Sequence, residues 1–205
     1  MPHLALLGDS IFDNASYVEP GSSVSDHLRS VLPKDWQVSL LAADGATTTV
    51  AMDQADRLPN DVSHLVLSAG GNDALWMSGN LFSLSTDDVR ESLHKLGEQC
   101  REFQRSYRKL VQSLRSLQLP LVLCTVYDSV PGLELPELTG LCTFNDVITR
   151  VAFEHSIPLI DLRVICNDSK DYSEVSPIEP SSAGGLKIAR AISKAVQGND
   201  ALIVG

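Results

Sequence analysis

Positive charge is scarce in this chain. Of its 205 residues, 16 are lysine or arginine and 26 are aspartate or glutamate, a formal net charge of −10. Binding to nucleic acid or to an anionic membrane needs a basic surface, so neither partner is expected. Long apolar runs are missing as well. The first, Leu4–Leu7, leads straight into Gly8-Asp9-Ser10 and is too short for the apolar core of a signal peptide. No run approaches the ~20 residues that a bilayer-spanning helix requires. Cys100, Cys124, Cys142 and Cys166 form no CxxC pair, so neither a metal site nor a disulfide framework is expected. They read as reduced thiols of a cytoplasmic protein, with Cys124 inside a buried strand. The first strand–helix turn lacks both GxGxxG and GxxxxGK(S/T), which removes dinucleotide and P-loop readings and leaves no cofactor to expect. There is no internal repeat and no linker long enough to divide the chain.

What is present is an apolar fraction of 43% with 20% charged residues, enough to fill one core at this length. Five short apolar runs read as strands: His3–Leu7, Gln37–Ala42, His64–Ala69, Pro120–Val126 and Pro158–Leu162. They are continuous rather than alternating, the pattern of parallel strands covered on both faces. Segments with helical spacing lie between and after them: Val24–Leu32, Thr48–Arg57, Asp87–Leu117, Phe144–His155 and Ala183–Val196. Strands alternating with helices predict a three-layer α/β/α sandwich around a five-stranded parallel sheet of order 2-1-3-4-5, the flavodoxin-like arrangement. Residues 1–197 are expected to form this single domain, with 198–205 as a loosely held tail. From Val89 to Leu117 apolar residues recur in steps of four and three. That stripe fits a crossover helix packed on the sheet, and it also fits a seam for a second copy, so the oligomeric state stays open. Gly97 is a candidate kink or break in it. Trp76–Ser85 and Val130–Gly140, rich in glycine, proline, serine or asparagine, read as loops that wall a pocket.

Polar clusters stand at the ends of apolar strands. Gly8-Asp9-Ser10 follows the first, Asp44-Gly45 the second and Gly70-Gly71-Asn72-Asp73 the third. Ligands of open parallel sheets bind beyond the carboxyl ends of strands where the winding reverses, and order 2-1-3 brings these clusters to one cleft. Asp9, Asp13, Asp44 and Asp73 offer oxygen ligands for Mg²⁺, but that reading leaves Ser10, Gly45 and Asn72 without a role, so no metal is expected.

Taken together, these blocks resemble those of the GDSL/SGNH hydrolases. Gly8-Asp9-Ser10 looks like the family's first block, with Ile11 where leucine is usual. Gly45 stands at its oxyanion glycine, Gly70-Gly71-Asn72-Asp73 matches its GxND block, and Glu179–Ala189 resembles the last block, which enters the final helix. The resemblance spans nearly the whole chain in the right order. It implies that the Ser10 hydroxyl attacks a substrate carbonyl. The oxyanion would be held by the backbone N–H groups of Ser10 and Gly45 and by the Asn72 amide. Asp9 is expected to fix the nucleophile turn, and Asp73 to orient Asn72 or the strand end. Asp128 and Asp171 are candidates for shaping the pocket.

The last block departs from the family. An Asp, two residues, then His-Pro is usual; here the frame reads Ser176-Pro177-Ile178-Glu179-Pro180. Glu179 replaces the base histidine and Ser176 its orienting aspartate. The five histidines, His3, His27, His64, His94 and His155, all fall on helices or at strand starts away from the cleft. Two readings follow. In the first, Glu179 is the base, its pKa raised by burial, and Ser176 donates a hydrogen bond to it; a second carboxylate would only repel it. The protein is then a serine hydrolase or acyl transferase acting on a small ester or thioester. In the second, the chain keeps the fold as a binding module for a small ligand or a protein partner and has lost efficient turnover.

Overall fold

The computed structural model describes residues 1–82 and 88–198, together with the short strand Ile203–Val204. Its strands are β1 (His3–Gly8), β2 (Gln37–Leu40), β3 (His64–Ser68), β4 (Leu121–Cys124), β5 (Leu159–Ile160) and β6 (Ile203–Val204), all parallel, in the order β2-β1-β3-β4-β5-β6. The first five form the 2-1-3-4-5 sheet expected from the sequence. The sixth comes from the stretch read as a loose tail: Ile203 pairs with Leu159 and Val204 with Ile160. An edge strand leaves a row of backbone donors and acceptors open, and two following residues take them up.

The helices are α1 (Val24–Val31), α2 (Thr48–Gln54), α3 (Gly71–Phe82), α4 (Val89–Ser116), α5 (Leu135–Glu154), α6 (Leu162–Ile165) and α7 (Ser182–Val196). Alternate residues of the central strands face opposite layers. Leu4, Leu6, Val66 and Val122 pack in one core with residues of α1 and α7. Ala5, Leu7, Leu65, Leu67 and Leu123 pack in the other, with residues of α2, α4 and α5. These central strands are thus covered on both faces, which is why their sequences run apolar without alternation; the edge strand β2, Gln-Val-Ser-Leu, is not fully buried.

Three sequence expectations change. Trp76–Phe82 belongs to α3 rather than to a loop, and residues 83–85 of that expected loop lie outside the described residues. The second expected loop is a loop only as far as Glu134. α5 starts at Leu135, with Pro136 in its first turn, where the missing N–H has no helical partner to lose. Finally, α4 runs unbroken through Gly97. Its Phe103, Tyr107, Leu110 and Leu114 are buried against the sheet, whereas Val89 and Leu93 at its start are exposed. Asp88 caps this helix, accepting from the N–H groups of Arg90 and Glu91. Cys124 ends the buried strand β4, and all four cysteines are free.

Candidate active site

Ser10 sits on a tight turn at the end of β1. The Asp9 carbonyl accepts from the N–H groups of Phe12 (3.1 Å) and Asp13 (3.2 Å), and Asp9 Oδ1 accepts from Ile11 N–H at 3.2 Å. Asp9 therefore shapes the nucleophile turn. Its own N–H donates to the Ser68 carbonyl at 3.1 Å, which ties the turn to β3. Gly8 precedes it at φ +122°, and a Cβ there would collide with the Ser68 backbone; only glycine fits. Gln54, fully buried at the end of α2, accepts from Gly8 N–H (2.7 Å) and donates to the Gly8 carbonyl (2.8 Å).

Asn72 lies in the first turn of α3, not on a strand end, and its Nδ2 donates to the Ala46 carbonyl at 3.1 Å. Gly45, the residue before, adopts φ +76°, and a Cβ there would meet open space. Its glycine is therefore required by backbone conformation, not by crowding. Asp73 does not orient Asn72: both its oxygens take up Thr48, Oδ2 from the N–H (2.9 Å) and Oδ1 from the hydroxyl (2.7 Å). That contact joins the starts of α2 and α3 and so fixes the Gly45–Thr48 loop against Asn72.

Glu179 arrives from the far end of the chain on a well-anchored loop. Its carbonyl accepts from Ser173 N–H (2.9 Å), the Ile178 carbonyl from the Tyr127 hydroxyl (2.6 Å), and the Pro180 carbonyl from the Asn14 amide (3.0 Å). Ser181 then caps α7 by accepting from Gly184 N–H. The Glu179 side chain is 3% exposed, and Ser10 is 7% exposed. The Ser10 side chain acts on the Glu179 carboxyl, holding its pKa down, while Glu179 Oε2 is buried without a hydrogen-bond partner. Ser176 does not take the part assigned to it: its carbonyl accepts from Glu179 N–H at 3.0 Å, and it is Ser10 that meets the acid. A two-residue spacer closes a turn more readily than it brings a short serine side chain back to the carboxylate.

Burial pushes the Glu179 carboxyl up to about 7; the neighbouring Ser10 side chain opposes the rise, and the charges of Asp44 and Asp13 add to it. Asp9, 1% exposed with Oδ2 unpartnered, is pushed up to about 8 by burial, opposed by the Ile11 N–H and reinforced by the Glu179 and Asp73 charges. Two carboxyl groups in one low-dielectric site thus hold their protons into the neutral range. On the rim the Tyr17 hydroxyl donates to Asp44 at 2.6 Å, and Asp13 accepts from Asp44 N–H at 3.0 Å.

Ser10, Asn72 and Glu179 open onto one cavity of about 410 Å³ whose other walls come from α3, the first turns of α4 and α5, and the segment after β4. Met77, Ser78, Val130 and Leu133 are among its lining residues, so both stretches expected to wall a pocket do so. Asp9 also reaches this wall, whereas Gly45, Asp73, Asp128, Ser176 and Asp171 do not. Asp171 is buried elsewhere and pairs with Lys187 at 2.7 Å. No histidine borders the cavity. His3 binds Asp61 and Ser39 at the opposite edge of the sheet, His27 meets Ser182, His64 stacks against Trp36, His94 meets Glu98 and His155 meets Arg115. Among the described residues no group of three His, Cys, Asp or Glu side chains is arranged to hold a metal ion.

Sequence reasoning missed the side-chain amides that frame the site. Besides Gln54 on Gly8, Asn145 of α5 accepts from Val126 N–H (2.9 Å) and donates to its carbonyl (2.8 Å), and Asn14 bridges Pro180 to Val24 N–H. Gln54 and Asn145 sit where the strand ladder stops, Asn14 at the start of α1, and each satisfies backbone groups that would otherwise be buried unpaired. For Gln54 and Asn145, a polar amide on a buried helical face was the available signal.

The model of the GDSL-like lipase/acylhydrolase family matches residues 6–184. The chain belongs to that family, and the class of protein so defined is a hydrolase acting on ester bonds. None of the curated proteins matches it in sequence. Solved structures share its fold. An acetyl xylan esterase, AlAXEase, superposes with a TM-score of 0.71 at 17% identity, over 95% of this chain and 99% of its own. The lipase Lip_vut3 from a goat rumen metagenome gives 0.73 at 17% identity, over 95% and 97%. The psychrotrophic esterase EstA from Pseudoalteromonas sp., solved in a form inhibited by monoethylphosphonate, gives 0.67 at 15% identity, over 96% and 97%.

Proposed function

We propose that this protein hydrolyses a small ester or thioester, or transfers its acyl group, through a seryl intermediate on Ser10, with Glu179 as the base in place of histidine. One observation carries the reading: buried Ser10 and Glu179 line one cavity that no histidine borders, and burial raises the Glu179 carboxyl to about 7. A base poised near the working pH combines the ionised fraction with the drive to take a proton.

In this mechanism the ionised Glu179 accepts the Ser10 proton as Oγ bonds to the carbonyl carbon. The carbonyl oxygen becomes an oxyanion facing the Ser10 N–H and the Asn72 amide, the two donors of the set that border the cavity. Collapse breaks the bond to the leaving alcohol or thiol, which takes the proton from Glu179. Water then attacks the acyl–Ser10 ester, Glu179 accepts its proton, and the returning proton restores the Ser10 hydroxyl as the acid leaves. A donor that stabilises the oxyanion is worth ~10²–10³ in rate.

A fluorophosphonate probe tests the nucleophile. It should label the parent protein and leave Ser10→Ala unlabelled, with Glu179→Gln labelled far more slowly. Equal labelling of the parent and Ser10→Ala removes the assignment. Parent protein that neither labels nor turns over any ester of a broad panel leaves the binding-module reading in its place.

A further inference from the structure

In hydrolysis at Ser10 the departing atom takes its proton from Glu179, so whatever surrounds Glu179 outside the cavity also surrounds the leaving alcohol or thiol. Two carboxylates stand there. Asp13 closes the nucleophile turn through its N–H on the Asp9 carbonyl, and Asp44 directly precedes Gly45. Asp13 Oδ2 accepts from Asp44 N–H at 3.0 Å, and Asp44 Oδ2 accepts from the Tyr17 hydroxyl at 2.6 Å. These bonds hold both carboxylates in place. Each uses one oxygen, and among the described residues no donor takes up the Oδ1 of either. Asp44 is exposed and Asp13 half-buried. Their charges reach the Glu179 carboxyl, and those of all three reach Tyr17, so the four side chains are neighbours. Glu179 itself is 3% exposed, and its Oε2 is an acceptor that no protein donor fills.

No cation answers these charges. The titratable groups coupled to Glu179 are Asp9, Asp13, Asp44, Tyr17 and Tyr127. Among the described residues no lysine, arginine or histidine pairs with Asp13, Asp44 or Glu179. Lys95 on the cavity wall is held by Glu91 at 2.6 Å. A cleft edged by charge of one sign draws in ligands of the other. A hydroxyl can donate to the same oxygens but leaves their charge in place; a protonated amine donates and answers the charge as well.

We propose that the Asp13–Asp44 rim is a cation subsite for the leaving group, and that the preferred substrates are esters or thioesters whose alcohol or thiol carries a protonated amine. The proposal rests on the hydrolase reading above and names its leaving group. The amine keeps its proton throughout: Glu179 protonates the departing oxygen or sulfur, and the product leaves with its ammonium charge unchanged.

The test compares two esters of one shape, the dimethylaminoethyl and isoamyl esters of butyrate, at about pH 7, where the alkylamine is protonated. The ratio of their kcat/KM values within one protein cancels the ionisation of Glu179, and comparing proteins cancels the different reactivity of the two alcohols. Asp13→Asn and Asp44→Asn each keep an oxygen for the Asp44 N–H and the Tyr17 hydroxyl. The parent ratio should exceed that of the double variant by about tenfold, the effect of two unit charges roughly 5 Å away in water, with each single variant between. Salt at about 0.5 M should bring the parent ratio down toward that of the double variant, which salt should leave in place. In parallel, the two ketones in which a methylene replaces the ester oxygen, which cannot be hydrolysed, are titrated into Ser10→Ala by calorimetry. Their cationic-to-neutral affinity ratio should fall about tenfold when Asp13→Asn and Asp44→Asn are added. Ester turnover with equal ratios in the parent and the double variant overturns the cation subsite while the hydrolase stands. A rim-dependent preference for the cationic ketone without turnover of any ester supports the subsite and removes the seryl mechanism. Neither turnover nor preference removes both.

Discussion

In the mechanism proposed above, Glu179 does at one position what a histidine and an aspartate do together in related frames. An imidazole base becomes a cation and benefits from a neighbouring carboxylate; a glutamate base becomes neutral and needs only burial to bring its pKa up. Because the ionised form is the base, kcat/KM should rise as pH climbs through about 7, following the Glu179 carboxyl. Glu179→Gln should lose ~10²–10⁴ in kcat and the acidic limb with it; pH–rate profiles of both proteins measure this, and a limb unchanged in the variant would exclude the role. Asn72→Ala should cost ~10²–10³ in kcat with a smaller change in KM, read by steady-state kinetics. Ser10, Asn72 and Glu179 were legible as one cluster because each follows an apolar strand or precedes the last helix. Ser176 was not, since whether a serine side chain turns toward or away from its neighbour depends on the loop's backbone. Gly45 was found through the family's block, and the structure adds that its backbone takes a positive φ.

At the level of elements, the framing of the site falls to side-chain amides. Gln54 links α2 to the end of β1, and its two bonds satisfy both backbone groups of Gly8. Gln54→Leu keeps the size but leaves that N–H and carbonyl buried without partners, at about 1–3 kcal/mol each. Urea unfolding should therefore show a loss of about 2–5 kcal/mol, larger than a surface substitution produces. Such contacts join residues 46 positions apart, so no local pattern announces them. The same limit explains α3 and the start of α5, read as loops from their glycine, asparagine and proline. Those residues are tolerated in first turns and on solvent-facing positions, and packing against α4 supplies what propensity lacks. The long α4 was legible apart from its unbroken passage through Gly97, and the stripe serves two surfaces: its later half covers the sheet, and its first turns border the cavity.

For the whole molecule, the α/β/α layering followed from continuous apolar strands alternating with helices, and the 2-1-3 order from the flavodoxin-like arrangement such strands commonly adopt. β6 was not legible, because two apolar residues carry no period. Stability couples to the site through its buried acids. Asp9 and Glu179 bind protons more tightly when folded, near 8 and 7 against ordinary values of 3.8 and 4.5. Their contribution is fully present below about pH 4 and is lost as pH rises through 7 and 8. The Tm should therefore fall between pH 5 and about 9 on this account. Asp9→Asn, which still offers Oδ1 to the Ile11 N–H, should flatten that fall; calorimetry across the range decides, and parallel curves for the two proteins would refute the assignment.

The absence of a histidine from the cavity also changes how charge travels during the reaction. With imidazole, attack creates a cation and an anion side by side. With Glu179 a single negative charge migrates from carboxylate to substrate oxygen, and the count within the cavity stays constant. Asp13 and Asp44 repel that charge at its starting point and so favour its departure. They equally repel any anion brought in with the substrate. An ester with a free carboxylate beside the scissile bond should react far more slowly than its neutral methyl-capped counterpart, and added salt should narrow the gap.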